Sequence, residues 1–133
     1  MYTMKQACAM TNMSYETLKY YCNQGLVPNV KRDEGNRRVF DDRDIACIHI
    51  LICLKHCNLS IEEMKDYIGL CRQGPESIPQ RQQLLAEKQQ VLLQRQQELQ
   101  SALDYIQRKQ NFYGEVLAGR APYRSIFMPE DKD

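Results

Sequence analysis

Between Ile78 and Leu117 the apolar residues Leu85, Leu92, Leu99, Ile106 and Tyr113 recur every seven positions, with Leu103 adding a partial second seam. Sustained heptad spacing of this kind predicts a coiled-coil helix. Glutamine fills much of the remainder, a residue of good helix propensity that solvates the outer face. A glutamine-rich disordered tract would not hold the apolar register. One helix cannot bury a single stripe by itself, so the pattern implies a second copy of the chain in a homodimer.

Upstream the elements are shorter. Thr3 is placed to cap a helix running through Met10, with Met4, Ala7, Cys8 and Met10 on its inner side. Asn12 marks a turn, and Ser14 begins a second helix with the Glu16 carboxylate near its positive end. Gly25 supplies a left-handed stop, and Pro28 keeps the helix from resuming. Two short helices joined by a tight turn make a helix-turn-helix. Val30 and Val39-Phe40 then bracket Lys31 to Arg38, with Asp33-Glu34-Gly35-Asn36 as the turn chemistry of a hairpin.

Asp42 or Asp44 caps a third helix, which runs to Cys57 and is broken by Asn58. Ser60-Ile61-Glu62-Glu63 is a capping-box start for a fourth, with Ile61, Met64, Tyr67 and Ile68 at helical spacing. Gly69, Gly74 and Pro75 mark a linker. The expected architecture is therefore mainly α: a winged helix-turn-helix domain with two following helices over 1–74, a dimerising coiled-coil helix over 75–117, and a short tail over 118–133. Tyr123, Ile126 and Phe127 sit in that tail among turn formers, and Glu130-Asp131-Lys132-Asp133 make its end acidic.

Composition narrows the partners. With 133 residues and 43% apolar content the chain can bury one modest core. A net charge of +1 excludes a globally basic coat for nucleic acid. Up to Phe40, however, Lys5, Lys19, Lys31, Arg32, Arg37 and Arg38 stand against only Glu16, Asp33 and Glu34, so an electrostatic footprint is expected at the N-terminal end. No targeting segment is visible, and the most apolar stretch, Ile45 to Leu54, is far too short to span a bilayer. No membrane partner is expected.

These features fit a helix laid in a DNA groove and a wing holding the flanking phosphates. The candidate DNA-binding residues are Thr3, Ser14, Tyr15, Thr17, Lys19, Tyr20, Lys31, Arg32, Arg37 and Arg38. Tyr21 is as well suited to core packing as to the groove.

The order and spacing of Tyr2-Thr3-Met4, Ser14-x-x-Thr17-Leu18-Lys19-Tyr20-Tyr21, Gly25-Leu26-Val27-Pro28, Arg37-Arg38-x-Phe40, Asp44-Ile45 and Leu59-Ser60-Ile61-Glu62-Glu63-Met64 resemble the MerR family of bacterial transcriptional regulators. Lys19 stands where the family usually has Arg, and Asn36 where it often has Tyr. Lysine keeps the phosphate charge but lacks the planar fork. The resemblance implies a dimer, held by an antiparallel coiled coil, that grips two half-sites of double-stranded promoter DNA. It also implies that the activated dimer bends and untwists an over-long spacer so that RNA polymerase can use the promoter, which is regulation through DNA shape.

Six cysteines in a small chain raise the question of a secreted disulfide scaffold. They sit in helical patterns rather than between Gly/Pro-rich loops, so reduced thiols in a cytoplasm are expected. The resemblance implies more. Soft-metal sensors of the family carry paired cysteines after the dimer helix, but here none follows Cys71. Multidrug sensors append a large ligand domain, for which the tail is too short. Cys53-Leu54-Lys55 matches the subgroup that responds to aldehydes, electrophiles or oxidants through a thiol.

Helical phasing bears on the same thiol. Ile45, Ile48, Leu51, Leu54 and Cys57 form the core stripe, which puts Cys53 off it, near the place where a partner's helix could lie and where a thiol could be accessible. Lys55, His49 and His56 are nearby candidate cations for activating it. Cys53 and Cys57 are the candidate sensor thiols, although a bond between them would strain the helix. His49, Cys53, His56 and Cys57 share one helical arc, yet a straight helix offers two or three metal ligands at most. Neither a metal site nor a cofactor is expected. Cys8 suits a small core position, and Cys22, Cys47 and Cys71 have no constellation around them.

An enzyme is not expected, since the chain has no phosphate-cradling loop, no nucleophile–base pair and no paired carboxylates in a plausible cleft. The rival reading is a dimeric coiled-coil adaptor that binds protein, and a rival sensor is a small-molecule or metal effector. Four cationic side chains on the hairpin argue against the adaptor.

Overall fold

The computed structural model describes residues 1–129, so the acidic end expected at Glu130 to Asp133 lies outside the described residues. The chain divides into two compact units at Leu92, inside its longest helix.

The first unit holds a three-stranded antiparallel sheet and four helices ahead of the long one. Strands β1 (Tyr2–Thr3), β2 (Lys31–Arg32) and β3 (Arg38–Phe40) lie in the order β1-β3-β2, with Tyr2 opposite Phe40 and Arg32 opposite Arg38. The helices are α1 (Met4–Thr11), α2 (Tyr15–Asn23), α3 (Asp42–His56) and α4 (Ile61–Arg72). A 3₁₀ turn, Pro75–Ser77, leads into α5 (Ile78–Leu117).

Local chemistry sets the helix ends. Thr3 caps α1 in a capping box with Gln6, and Ser60 caps α4 in one with Glu63. Ser14 caps α2 by accepting from the Thr17 amide at 3.2 Å. The expected cap of α3 is corrected: Asp41, not Asp42 or Asp44, is the N-cap, because its backbone is still extended while Asp44 occupies the third helical position and accepts from the Asp41 amide at 2.9 Å. Asn12 and Asn58 take left-handed φ values of 56° and 70° at the turns where breaks were expected.

Two more positions differ from expectation. Met10 does not face inward: it is 45% exposed, and Thr11 takes the inner place, its hydroxyl donating to the Ala7 carbonyl at 2.7 Å. Gly69 lies within α4 rather than in a linker, and open space surrounds it. Gly74, at φ 85°, is where the chain does turn.

The core joins these elements. Leu18 and Tyr21 of α2, Leu26 and Phe40 beside the wing, and Ile48 and Leu51 of α3 are buried together. Ile45 and Leu54 complete the α3 stripe, with Cys57 half-buried at its end. Leu84 of α5 packs on this core, and Lys88 pairs with Glu63 of α4 at 2.5 Å, which pulls that carboxyl below its ordinary pKa. The start of α5 thereby belongs to the first unit.

The second unit is the rest of α5 and the segment after it. Its apolar stripe has no cover within the unit: Leu99 is 67% exposed and Ile106 is 56% exposed. Beyond Leu117 the chain turns, Arg120 pairs with Glu115 at 2.7 Å, and Phe127 stands 94% exposed. No helix among the described residues is long and apolar enough to cross a membrane.

Candidate nucleic-acid interface

Helix α2 presents its outer face because its inner face is used up. Leu18 and Tyr21 are buried, which assigns this tyrosine to the core, and that burial raises the pKa of its phenol. Tyr15, Glu16, Lys19 and Tyr20 point outward, with Tyr15 56% and Tyr20 47% exposed. Ser14 donates its hydroxyl to Thr17 Oγ1 at 2.8 Å while accepting from the Thr17 amide, so neither bond uses the Thr17 hydroxyl hydrogen.

The wing lies to one side of α2. Thr3, Tyr15, Arg32, Arg37 and Arg38 line one depression of about 360 Å³, joined by Lys5 of α1. Five of the ten expected contact residues therefore converge on one concave surface. The hairpin turn is shaped by Asn36, at φ 59°, rather than by Gly35. The Arg37 amide bonds to Asp33 Oδ1 at 2.9 Å, and Arg32 Nη1 donates to the Asn36 carbonyl at 2.9 Å. Arg38 Nη2 donates to Asn23 Oδ1 at 2.5 Å, fixing the wing to the end of α2.

On the other side of α2, Ser14 and Thr17 line a second depression of about 290 Å³ with Asn12, Lys55 and His56. The last turn of α3 is thus brought beside the first turn of α2.

Lys31, also among the expected contacts, is paired within the chain. Its ammonium is 2.7 Å from Asp41 Oδ2, 3.8 Å from Asp44 Oδ2, and donates to the Asn29 carbonyl at 3.1 Å. The hydrogen bond from Lys31 and the backbone bond from Asp44 hold the Asp41 carboxyl down at about 2. This half-exposed ion pair links the wing to the start of α3.

Sequence reasoning missed Lys5, Asn23, Lys55 and His56. Lys5 had a signal in the local charge excess. The others acquire their place only through tertiary packing of α2 against the wing and α3.

The thiols separate by environment. Cys53 and Cys71 are exposed, and none of the six is in a disulfide. Burial pushes the thiols of Cys8, Cys22 and Cys47 above the ordinary range. Among the described residues no three His, Cys, Asp or Glu side chains are grouped to hold a metal ion.

The pattern that defines the MerR HTH family of regulatory proteins matches residues 2–69. The chain belongs to the MerR family. It is 32% identical over 117 residues to an HTH-type transcriptional regulator of Haemophilus influenzae, covering 88% of this chain and 87% of that one. It is 33% identical over 82 residues to the HTH-type transcriptional regulator AdhR of Bacillus subtilis, covering 62% and 59% of the two chains.

Among solved structures, a MerR family transcriptional regulator from Listeria monocytogenes superposes with a TM-score of 0.77 at 30% identity, covering 90% of each chain. HiNmlR, a MerR family regulator lacking the sensor domain, bound to promoter DNA, gives 0.72 at 32% identity, covering 88% of this chain and 93% of that one. The mainly α architecture of a winged helix-turn-helix followed by a long helix is therefore that of a MerR transcriptional regulator.

Proposed function

We propose that this MerR protein is a cytoplasmic, homodimeric regulator that binds a pseudo-palindromic promoter site and acts on RNA polymerase by distorting the spacer between its recognition elements. Residues 1–74 read the DNA, 75–117 pair with the same helix of a second copy in antiparallel fashion, and 118–133 form a tail. The observation that carries the reading is the convergence of Thr3, Tyr15, Arg32, Arg37 and Arg38 on one depression beside the outer face of α2. The promoter DNA bound to HiNmlR supports it.

In this reading Tyr15, Thr17, Lys19 and Tyr20 meet the groove or its phosphates, and Ser14 shapes the first turn of the reading helix. Arg32, Arg37 and Arg38 hold the backbone from the wing, while Lys55 and His56 meet it from the other side. The protein's role is regulatory rather than catalytic. Cys53, exposed on α3 two residues before Lys55, is the sensor thiol, and half-buried Cys57 is a second candidate. Modification of Cys53 acts through the last turn of α3, which lies beside the first turn of α2.

A salt titration tests the function. Binding to a promoter fragment, read by fluorescence anisotropy, should weaken linearly in log salt with a slope of about −0.9 for each phosphate neutralised. Salt-insensitive capture of protein partners, with no DNA binding, would instead favour the adaptor.

A further inference from the structure

Glu16 is the one acidic residue on the exposed face of α2, and its placement there is central. At about 100° per residue, Leu18, Tyr21 and Cys22 define the buried direction of the helix, and Glu16 lies within about 15° of the opposite pole. Its neighbours in sequence diverge to either side: Tyr15 lines the depression with Lys5, Arg32, Arg37 and Arg38, where the four cations outnumber the one carboxylate, Asp33, and Thr17 lines the one with Lys55 and His56. The carboxylate thus stands between two cation-lined walls. None of the five ion pairs among the described residues includes it, not even with Lys19 one turn away.

An anion at that position is unfavourable towards DNA unless it accepts a hydrogen bond there. Two cationic walls match the two phosphate backbones that border a groove, and the residue midway between them faces the base edges. In the major groove, cytosine offers its N4 amino group as a donor. Adenine offers an amino group too, but beside the N7 acceptor, which repels a carboxylate. We infer that Glu16 is a specificity-determining residue that reads a cytosine in each half-site by accepting from its N4 amino group. The alternative is that Glu16 only favours the positive end of α2, a role that carries no base preference.

The inference rests on the DNA-reading function proposed above. Its test is parallel selection from a randomised duplex library by the full-length wild-type chain, Glu16→Gln and Glu16→Ala. Wild type should enrich a cytosine at one symmetric position per half-site, by on the order of tenfold over the other bases. Glu16→Gln should move that position towards adenine, whose N6 and N7 a glutamine amide can pair with at once, and Glu16→Ala should level it.

Identical enriched sites for all three proteins would overturn the inference while leaving DNA reading intact. Absence of any enrichment by wild type would overturn both. Thermal melts by circular dichroism verify that the two exposed-site variants remain folded, and a site shift by Glu16→Gln alone also supports the assignment.

Discussion

The Arg38 guanidinium donates to Asn23 Oδ1 at 2.5 Å, tying the third strand of the sheet to the last residue of the recognition helix. The bond ties the wing to α2, and on the proposed function it governs which phosphates both reach together. Asn23→Ala removes the tether while keeping every cation. Its affinity for a promoter fragment should fall a few-fold, with the slope of log affinity against log salt unchanged. Arg37→Ala, which deletes an exposed cation, should lower that slope by about 1. Equal slopes for Arg37→Ala and wild type would remove Arg37 from the phosphate contacts.

Lys31 is expected to behave unlike its neighbours on the wing. Its ammonium is paired with Asp41 and lies near Asp44, so Lys31→Ala should leave the salt slope as it is and lower the thermal midpoint instead. The pH dependence follows from the signs. Asp41 is held at about 2 from an ordinary 3.8, so its contribution to stability is complete above 3.8 and is lost as pH falls toward 2. Lys31 is raised above its ordinary value, so its contribution is complete at neutral pH and is lost only in strong alkali. Thermal midpoints recorded through the acid range should fall more steeply for wild type than for Lys31→Ala. Parallel curves would refute the clamp.

That contrast shows how much was legible beforehand. Thr3, Ser14 and Ser60 announce their helices because a hydroxyl cap needs only local backbone, and the MerR resemblance is carried by named residues in a fixed order. The α3 cap was harder: Asp41, Asp42 and Asp44 all offer carboxylates, and only the extended backbone of Asp41 decides among them. Met10 and Thr11 exchange places because threonine can satisfy its hydroxyl on the Ala7 carbonyl and so be buried. The positive charge of Lys31 was visible in the chain, but its partner, ten residues on, was not. Lys55 and His56 were visible only as cations near Cys53, and Asn23 not at all, until packing set them beside the outer face of α2.

The cysteines give a chemical test. Cys53 and Cys71 are exposed, whereas burial raises the thiols of Cys22 and Cys47 and leaves them less thiolate near neutral pH. Brief alkylation of the native protein, mapped by mass spectrometry, should label Cys53 and Cys71 ahead of Cys22 and Cys47, with the gap narrowing as pH rises. Cys53→Ser should abolish the transcriptional response to an aldehyde, electrophile or oxidant and change promoter affinity by less than about twofold. A variant that still responds normally would sink the thiol switch.

The stripe on α5 makes the sharpest demand on assembly. Leu85, Leu92, Leu99, Ile106 and Tyr113 recur every seven residues along the helix, and Leu99 at the middle of the series is 67% exposed within the single chain. In the proposed dimer an equivalent helix covers this surface, and the two-fold arrangement meets two half-sites at once. Sedimentation should give wild type a mass twice the chain's 15.6 kDa. Leu99→Asp forces a carboxylate into the seam, where desolvation opposes pairing, and should bring the mass to that of one chain. Promoter affinity should then drop by on the order of a hundredfold, because the second half-site no longer benefits from the first. Gln97→Glu, which adds the same charge off the stripe, should leave both mass and affinity unchanged. If Leu99→Asp still sediments at twice the chain mass, the stripe is not what joins the two copies.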